Sequence, residues 1–373
     1  MSLSKRKWID HPGSFVKEEI EERGWTQTDL AYILGCSIQS INLLINEKKG
    51  ISPEMSKALG EAFSVSPEFF SKLQGLHDVS LAKEPRAGIA KRAMLQTYPL
   101  KAMANRGWIE ISGDIRMIEE QIIRFFSARD LYNVPKISHA AKKTNYDSMS
   151  TEQLAWLFRV RQIAQEMIVP KFSSSEIGTL ISRLKELRNE PEQIRHIPRL
   201  LSEYGIRFVI VEGLPKSEID GACFWLDDNS PVIGMTLRFD RIDNFWFVLG
   251  HELEHMARGH GKNNEIIDVD LQSMEAASSI SEEERLANEG GANFCIDQKK
   301  MDLFYARKSP YISNGDVLAF AGIHHIHPGI VAGQIQKRTG RYAIFRKHLA
   351  KIREHIIPSV TVDGWGAVYP IEL

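Results

Sequence analysis

The sequence predicts a multidomain protein in which an all-α N-terminal domain precedes an α+β domain with a small sheet and a mainly helical C-terminal part. Three observations support this fold class. Residues 12–82 contain a series of short helical patterns with their own start and stop signals. The run IRFVIV (206–211) is rich in β-branched residues, as strands are. The segment DNFWFVLGHELEHMAR (243–258) begins with apolar residues that indicate a buried helix.

Length, charge and cysteine content narrow the class further. The 373 residues suffice for two or three domains, and the net charge of −1 excludes a molecule that binds nucleic acid over its whole surface. Cys36, Cys223 and Cys295 form no C-x-x-C pair, which argues against a disulfide framework. We find no secretory signal and no apolar run of membrane-spanning length, so we expect a cytoplasmic protein without a membrane partner.

The patterns divide the chain into four parts. They are an N-terminal helical domain (1–82), a helical connecting region (83–172), the α+β domain (173–340) and a basic helix with a tail (341–373). The main boundary is expected in or near the polar stretch KKTNYDSMS (142–150).

Capping residues define the N-terminal helices. Thr26 is a candidate N-cap with Gly35 as the stop, and Ser37 is the candidate N-cap of the next helix. Two Ser-Pro-Glu sequences follow, and proline is pre-organised for the first helical position. We therefore expect helices at 15–24, 26–35, 37–50, 52–63 and 66–82.

The α+β part is predicted from a strand, a hairpin and a helix. After the strand at 206–211, GACFWL (221–226) and PVIGMTL (231–237) flank the turn sequence DDNS. The following helix has Asp243 as a candidate N-cap and Gly259 as its stop. Near the C-terminus, LAKIREHI (349–356) indicates a basic helix.

The helix at 243–258 contains the motif H-E-x-x-H. His251 and His255 are one helical turn apart, so both imidazoles can reach one metal ion. Glu252 lies one step off that face, where it can take a proton from a water beside the ion. The alternative is an exposed helix with incidental histidines, but the apolar FWFVLG before the motif indicates burial, and buried histidines need partners. We therefore predict a zinc site, with manganese as the alternative ion.

The third protein ligand is left open by spacing. His260 follows His255 by five residues, whereas the H-E-x-x-H-x-x-G-x-x-H pattern requires six, so we expect His260 to be a capping or surface residue. A carboxylate from a later segment is the alternative, and most acidic residues there are expected to form a solvated loop. Glu284 and Glu289 are equally placed by spacing. The full set of candidates is Glu265, Asp268, Asp270, Glu275, Glu282, Glu283, Glu284 and Glu289.

Residues 203–256 closely resemble the ImmA/IrrE family of metallo-endopeptidases, which have a zincin-like fold. In that family a strand, a hairpin and the H-E-x-x-H helix occur in this order, followed by a motif E-x-x-A-(N/D). Glu284, Ala287 and Asn288 match the second motif, so the resemblance implies Glu284 as the third ligand, with Glu289 as the fallback. This chain departs from the family in having Gly290–Gly291, where we expect a kinked or less rigid helix and reduced constitutive activity.

The segment IHPGIVAGQIQ (326–336) resembles the C-terminal segment of the same family. By this resemblance His327 is a candidate catalytic residue that donates a hydrogen bond to the developing oxyanion. The alternative is that His327 merely precedes a helix started by Pro328, as His11 precedes Pro12.

The N-terminal part resembles the Xre-type helix-turn-helix, in particular the HigA-like antitoxins, in HPGSFVKEEIEERGWTQTDLAYILGCS and NEKKGISPEMSKALGEAFSVSPEFF. The resemblance implies operator DNA as a partner and a third helix in the major groove. The implied contacts are Gln27, Ser37, Gln39, Ser40 and Asn42. Residues 1–80 carry nine Lys/Arg against eleven Asp/Glu, so a dimerisation or docking module is the alternative.

The combined features predict a DNA-binding regulatory zinc metallo-endopeptidase that acts as a homodimer. The resemblance implies that its substrate is a specific repressor or antitoxin, and GACFWL is expected to offer an edge strand to it. The alternative is an antitoxin-like transcriptional regulator whose metallopeptidase domain is a binding or sensing module with little turnover. A zinc hydrolase that acts on non-peptide substrates is a third interpretation.

Overall fold

The computed structural model describes residues 9–83, 88–135, 149–262, 266–269, 271 and 281–370. The chain divides into two compact units, Met1–Ile89 and Ala90–Leu373. The division therefore falls close to residue 82, where the helical N-terminal domain is expected to end. Residues 142–148 of the polar stretch proposed as the main boundary lie outside the described residues.

The first unit is all-α, as predicted. Thr26 caps its second helix in a capping box with Asp29, and Ser37 caps the third. The third helix ends at Ile45 rather than near Gly50, and the fifth begins at Phe69 rather than Ser66. The helices are α1 Pro12–Glu22, α2 Gln27–Leu34, α3 Ile38–Ile45, α4 Pro53–Phe63 and α5 Phe69–Leu81.

The sharp turn between α2 and α3 is the main structural feature of the first unit. The two helices are bent by 118° across a short break that includes Gly35, whose φ of 62° suits a residue without a β-carbon. This angle lies in the range of helix-turn-helix motifs. The apolar sides of the helices meet in one core that includes Val16, Leu30, Ile41, Leu44, Leu59 and Phe63.

The second unit combines helices with one sheet. Its helices are α6 Ile89–Leu95, α7 Leu100–Asn105, α8 Ile115–Phe125, α9 Thr151–Glu166, α10 Ile177–Glu186, α11 Ile197–Glu203, α12 Ile242–Ala257, α13 Glu282–Cys295, α14 Gln298–Lys308, α15 Asn314–Ile323, α16 Pro328–Thr339 and α17 Arg353–Ile356. Its strands are β1 Arg207–Val211, β2 Ile219–Trp225, β3 Pro231–Met235, β4 Ile266–Val269 and β5 Thr361–Asp363.

The sheet has the order β4-β2-β3-β1-β5. The predicted hairpin is confirmed, since β2 and β3 pair antiparallel with Cys223 opposite Ile233. β1 pairs parallel with both β3 and β5, while β4 pairs antiparallel with β2. The expectation that GACFWL is an edge strand is wrong, because β4 covers that side of β2.

Helices cover both faces of the sheet, which explains why residues on both faces of β1, β2 and β3 are buried. Along β1, Phe208 and Ile210 join the core formed with α12 and α16, while Val209 and Val211 join the core formed with α8 and α9. The region 83–172 is therefore not a separate connecting region. Its helices form one of the two layers that bury the sheet.

The C-terminal part also belongs to the second unit. β5 extends the sheet beside β1, and Asp363 is buried where it accepts hydrogen bonds from Trp108 and Arg159. A basic helix with a tail at 341–373 is thus corrected to a short helix, α17, and a strand. Residues 349–352, expected to be helical, precede α17 as coil.

One further expectation about helix ends changes. α12 begins at Ile242, and Asp243 lies in its first turn, where its carboxylate pairs with Arg241 instead of capping the helix. α13 is one continuous helix that includes Gly290–Gly291.

Among the described residues, no single helix is long and apolar enough to span a membrane. The bent pair α2–α3 passes that test by length and composition alone.

Candidate metal centre

Helix α12 presents the H-E-x-x-H motif inside the second unit. His251, Glu252 and His255 are all fully buried. The helical period brings the two imidazoles together on one side, with 3.0 Å between His251 Nε2 and His255 Nε2. Two ring nitrogens at this separation need a proton or a cation between their lone pairs.

Two carboxylates from other elements reach the same point. Glu284 of α13 lies 3.4 Å from Nε2 of both histidines. Asp268 of β4 lies 3.3 Å from His251 Nε2 and 3.9 Å from His255 Nε2. One donor atom from each of these four residues falls within 4.8 Å of the others. Asp268, expected with the other acidic residues in a solvated loop, is instead buried on a strand.

Glu284 and Glu289 have different surroundings on α13. Glu284 lies in the first turn of α13, where its backbone N–H donates to the capping Ser281, and its side chain is 29% exposed. Glu289 is 57% exposed and pairs with Arg285 on the outer side of the helix. Five residues of helix separate the two side chains by about 140° at the helical period of roughly 100° per residue. Of these two glutamates, only Glu284 lies beside His251 and His255.

Small residues let α13 approach α12 closely. A β-carbon at Gly291 would lie 2.9 Å from Phe247 O and 3.2 Å from His251 N, and one at Gly290 would lie 2.5 Å from Glu254 Cγ. The glycine pair therefore has a packing role between the two helices. It permits the helix contact that carries Glu284 to the histidines.

His260 contacts Nδ1 of His255, the ring nitrogen on the side away from His251. Its Nδ1 lies 3.0 Å from His255 Nδ1, after Gly259 (φ 72°) has ended the helical path. His260 is not among the four residues whose donor atoms meet, and its exclusion from the ligand set stays a prediction. Its contact with His255 was not foreseen, because it depends on how the chain turns back after the helix. Such outer contacts fix the orientation of a ligand imidazole.

Glu252 lies beside the cluster but outside it. Both of its carboxylate oxygens are buried without a hydrogen-bond partner among the described residues. The backbone of Gly221 on β2 faces it, since a β-carbon there would lie 2.1 Å from Glu252 Oε1. Burial, then the charge of Asp268, raises the pKa of Glu252 well above its usual value. Negative charge on Glu252 is therefore unfavourable while the charge of Asp268 is uncompensated, and a cation at the cluster would favour the ionised form that a general base needs.

Burial and neighbouring charges shift the pKa values of the cluster residues in opposite directions. Burial lowers the pKa of His251, but Asp268 and Glu284 outweigh it and raise that pKa to about 9. Burial, helped by His251 and His260, lowers the pKa of His255 to about 4. Burial alone would raise the pKa of Asp268, yet the two histidines hold it below its ordinary value. The balance of burial and charge thus favours positive charge at His251 but not at His255.

The donor set fits zinc or manganese. Imidazole nitrogen and carboxylate oxygen are ligands for both ions, and all four donors point to one buried place. Asp268 Oδ2 is buried and has no hydrogen-bond partner in the described part of the chain. A buried carboxylate oxygen without a partner is costly, and a bound cation would remove that cost.

His327 is not among the residues that meet at this place. It is the N-cap of α16, and its Nδ1 accepts a hydrogen bond from Gly329 N at 3.0 Å. His11 makes the same contact with Gly13 N at the start of α1. Its charged neighbours are Glu190, Glu192, His348 and Asp243, and burial lowers its pKa. The proposed catalytic role of His327 stays a prediction, and the capping role is what its contacts explain.

The predicted DNA contacts lie on α2 and α3. Gln39 and Asn42 are exposed, and Asn42 Nδ2 donates to Gln27 Oε1 at 3.2 Å. Ser37 is the N-cap of α3, and Ser40 accepts a hydrogen bond from Lys49. The opposite side of α3, with Ile41, Leu44 and Ile45, is buried in the core.

The fold and the cluster define a helix-turn-helix protein with a second, α/β unit that carries two histidines and two carboxylates at one point. The family model described as helix-turn-helix matches residues 16–70. Virulence-associated protein A' of Dichelobacter nodosus is 34% identical over 85 residues, which are 22% of this chain and 74% of that protein. By this match the chain belongs to the family of virulence-associated protein A'.

Solved structures give further likenesses. The Pseudomonas aeruginosa antitoxin HigA with the higBA promoter is 29% identical, with 25% of this chain and 98% of that chain covered and a TM-score of 0.20. An addiction module antidote protein of the HigA family from Coxiella burnetii is 20% identical, with 28% and 98% covered and a TM-score of 0.19. The predicted helix-turn-helix is confirmed by the family model. The resemblance to metallo-endopeptidases stays a prediction.

Proposed function

We propose that this protein is a DNA-binding regulatory metallo-endopeptidase that cleaves a specific regulatory protein, such as a repressor or an antitoxin. The observation that carries the hydrolase part is the convergence of His251, His255, Asp268 and Glu284 beside the buried Glu252. The helix-turn-helix over residues 16–70 supports the DNA-binding part.

Zinc or manganese held by His251, His255 and Glu284 would acidify a water and polarise the scissile carbonyl. Glu252 accepts the proton of the attacking water on a carboxylate oxygen. The water oxygen forms a bond to the carbonyl carbon, the peptide C–N bond then breaks, and Glu252 returns the proton to the leaving amine. His260 keeps the imidazole of His255 in position through its Nδ1 contact.

The DNA-binding part uses the exposed side of α3. Gln39 and Asn42 can each make two hydrogen bonds to an adenine in the major groove. Two copies of the chain would bind the two halves of an operator, as helix-turn-helix dimers do. This arrangement would bring the peptidase to the site where a repressor sits, or regulate the operon of the protein itself.

The experiment compares the wild type with Glu252→Gln and, as a matched control on the same helix, Glu254→Gln. Each chain is expressed in the host, metal content is measured on the purified protein, and new protein N-termini are identified by mass spectrometry. We expect metal in all three, and new N-termini with the wild type and Glu254→Gln but not with Glu252→Gln. Cleavage that persists in Glu252→Gln would refute the assigned base.

One observation favours a second candidate function. Catalytic zinc sites keep an open position, whereas sites with four protein ligands are usually structural. Asp268 provides a fourth protein donor here. The second candidate is therefore a transcriptional regulator whose second unit binds metal as a sensor with little turnover. It predicts metal-dependent DNA binding that is the same in the wild type and in Glu252→Gln.

A further inference from the structure

Asp268 does not have the position of a carboxylate that orients a histidine ligand from the side away from the metal. Outer carboxylates contact the ring nitrogen that faces away from the metal. For His255 that nitrogen is Nδ1, and His260 already contacts it. Asp268 instead faces Nε2 of His251 and Nε2 of His255, at 3.3 and 3.9 Å. These are the same two atoms that Glu284 faces, so Asp268 points at the metal position itself.

The strand that carries Asp268 also occupies the edge of the sheet beside Glu252. β4 pairs antiparallel with β2, and Asp268 is opposite Gly221 in the register. Gly221 is the residue whose backbone lies against the Glu252 carboxylate. Extended peptides bind proteins by adding to such an edge. β4 therefore takes the place where an extended substrate would pair with β2, next to the general base.

From this geometry we propose that Asp268 is a fourth protein ligand of the metal, and that β4 acts as a built-in inhibitor that closes the site until it is displaced. The inference rests on the metal centre of the proposed function and deepens it by naming its regulation. Displacement of β4 opens one coordination position and one sheet edge together. A segment of the substrate protein that adds to β2 is the kind of partner that can displace β4.

The test uses the full-length chain loaded with Co²⁺, whose visible absorption reports the ligands around the ion. The variants are Asp268→Ala, the isosteric Asp268→Asn, and Glu289→Ala as a matched acidic residue that lies away from the cluster. Metal affinity is measured by competition with a chelator. Access to the ion is measured by titration with acetohydroxamate, which binds through two oxygens and needs an open position.

We expect both Asp268 variants to lower metal affinity by at least the roughly 10–100-fold seen when an outer partner of a metal ligand is removed. We also expect them to change the Co²⁺ spectrum and to bind acetohydroxamate at least tenfold more tightly than the wild type. Glu289→Ala should match the wild type in all three measurements. Circular dichroism of the metal-free chains checks that each variant is folded.

Unchanged metal affinity and an unchanged spectrum in folded Asp268→Asn would overturn the proposal. So would tight acetohydroxamate binding by the wild type, because its fourth position would then already be open. Failure of this proposal can be distinguished from failure of the proposed function. If the Asp268 variants behave as expected but no protein is cleaved, the ligand assignment stands and the peptidase assignment fails. If His251→Ala binds metal like the wild type, the metal centre itself is refuted.

Discussion

Arg159 of α9 and Asp363 of β5 lie 204 residues apart in the sequence and form a buried ion pair, with Nη2 2.6 Å from Oδ2. The same carboxylate accepts a hydrogen bond from Trp108 Nε1 at 2.8 Å. This pair links α9, which lies in the helical layer on one face of the sheet, to β5, the last strand in the sequence. Together with the hydrophobic core on that face of the sheet, it joins α9 and the C-terminal part within the second unit.

Replacement of Arg159 by methionine is expected to lower the free energy of unfolding by about 3–5 kcal/mol, because Asp363 is left buried without its cationic partner. Urea denaturation followed by tryptophan fluorescence measures the change. Arg199→Met is the control, since Arg199 pairs with Glu203 while 86% exposed. If both variants unfold at the same urea concentration, the buried pair is not a determinant of stability.

Glu284→Ala and Glu289→Ala form a matched pair on helix α13. The first removes a carboxylate that lies 3.4 Å from both imidazoles, and the second removes one that contacts Arg285 on the helix surface. We expect Glu284→Ala to lose bound metal during dialysis, while Glu289→Ala keeps it. Metal analysis of the dialysed proteins gives the result. Loss of metal from Glu289→Ala alone would reverse the assignment.

His260→Ala is expected to weaken metal binding by roughly 10–100-fold, because His255 loses the contact at Nδ1 that orients its ring. The loss should be smaller than that of His255→Ala, which removes a ligand. Chelator competition measures both. His324→Ala, at the C-cap of α15, is the control. A variant of His260 that binds metal as tightly as the wild type would show that the contact has no orienting role.

Gly291→Ala is expected to destabilise the second unit by about 1–3 kcal/mol, although alanine is the better helix former, because the added carbon meets the backbone of α12. Gly322→Ala in α15 is the control. A β-carbon there meets nothing within 4 Å, so this variant should gain up to about 1 kcal/mol. Thermal unfolding gives both changes. Equal stabilisation of the two variants would mean that α12 and α13 are not closely packed at Gly291.

Gln39→Ala tests the helix-turn-helix. DNA fragments bound by the wild type are first selected from a random pool, and their affinity is then measured for the variant. We expect a loss of about 1–3 kcal/mol in binding free energy with an unchanged salt dependence, because the side chain would contact a base rather than a phosphate. Glu21→Gln, on α1, is the control. Failure of the wild type to select any sequence would favour a docking module over an operator-binding domain.

Much of the local structure could be predicted from the sequence. The caps at Thr26 and Ser37, the hairpin between β2 and β3, and the helix with His251 and His255 on one side all appear as expected. Capping and helical spacing act over a few residues, so nearby sequence is enough to specify them. The match of Glu284 came from resemblance, because spacing alone left Glu284 and Glu289 equal.

The sequence by itself determined much of the short-range structure of this protein: the caps of α2 and α3, the β2–β3 hairpin, and a helix that carries two histidines and a glutamate. Only the tertiary structure decided that Asp268 is buried beside those histidines, that His260 turns back to His255, and that Asp363 meets Arg159. The physical reason is that each of these contacts depends on strand pairing and helix packing across distant segments. An acidic residue in a solvated loop and one on a buried edge strand can have the same neighbours in sequence, and only the fold distinguishes them.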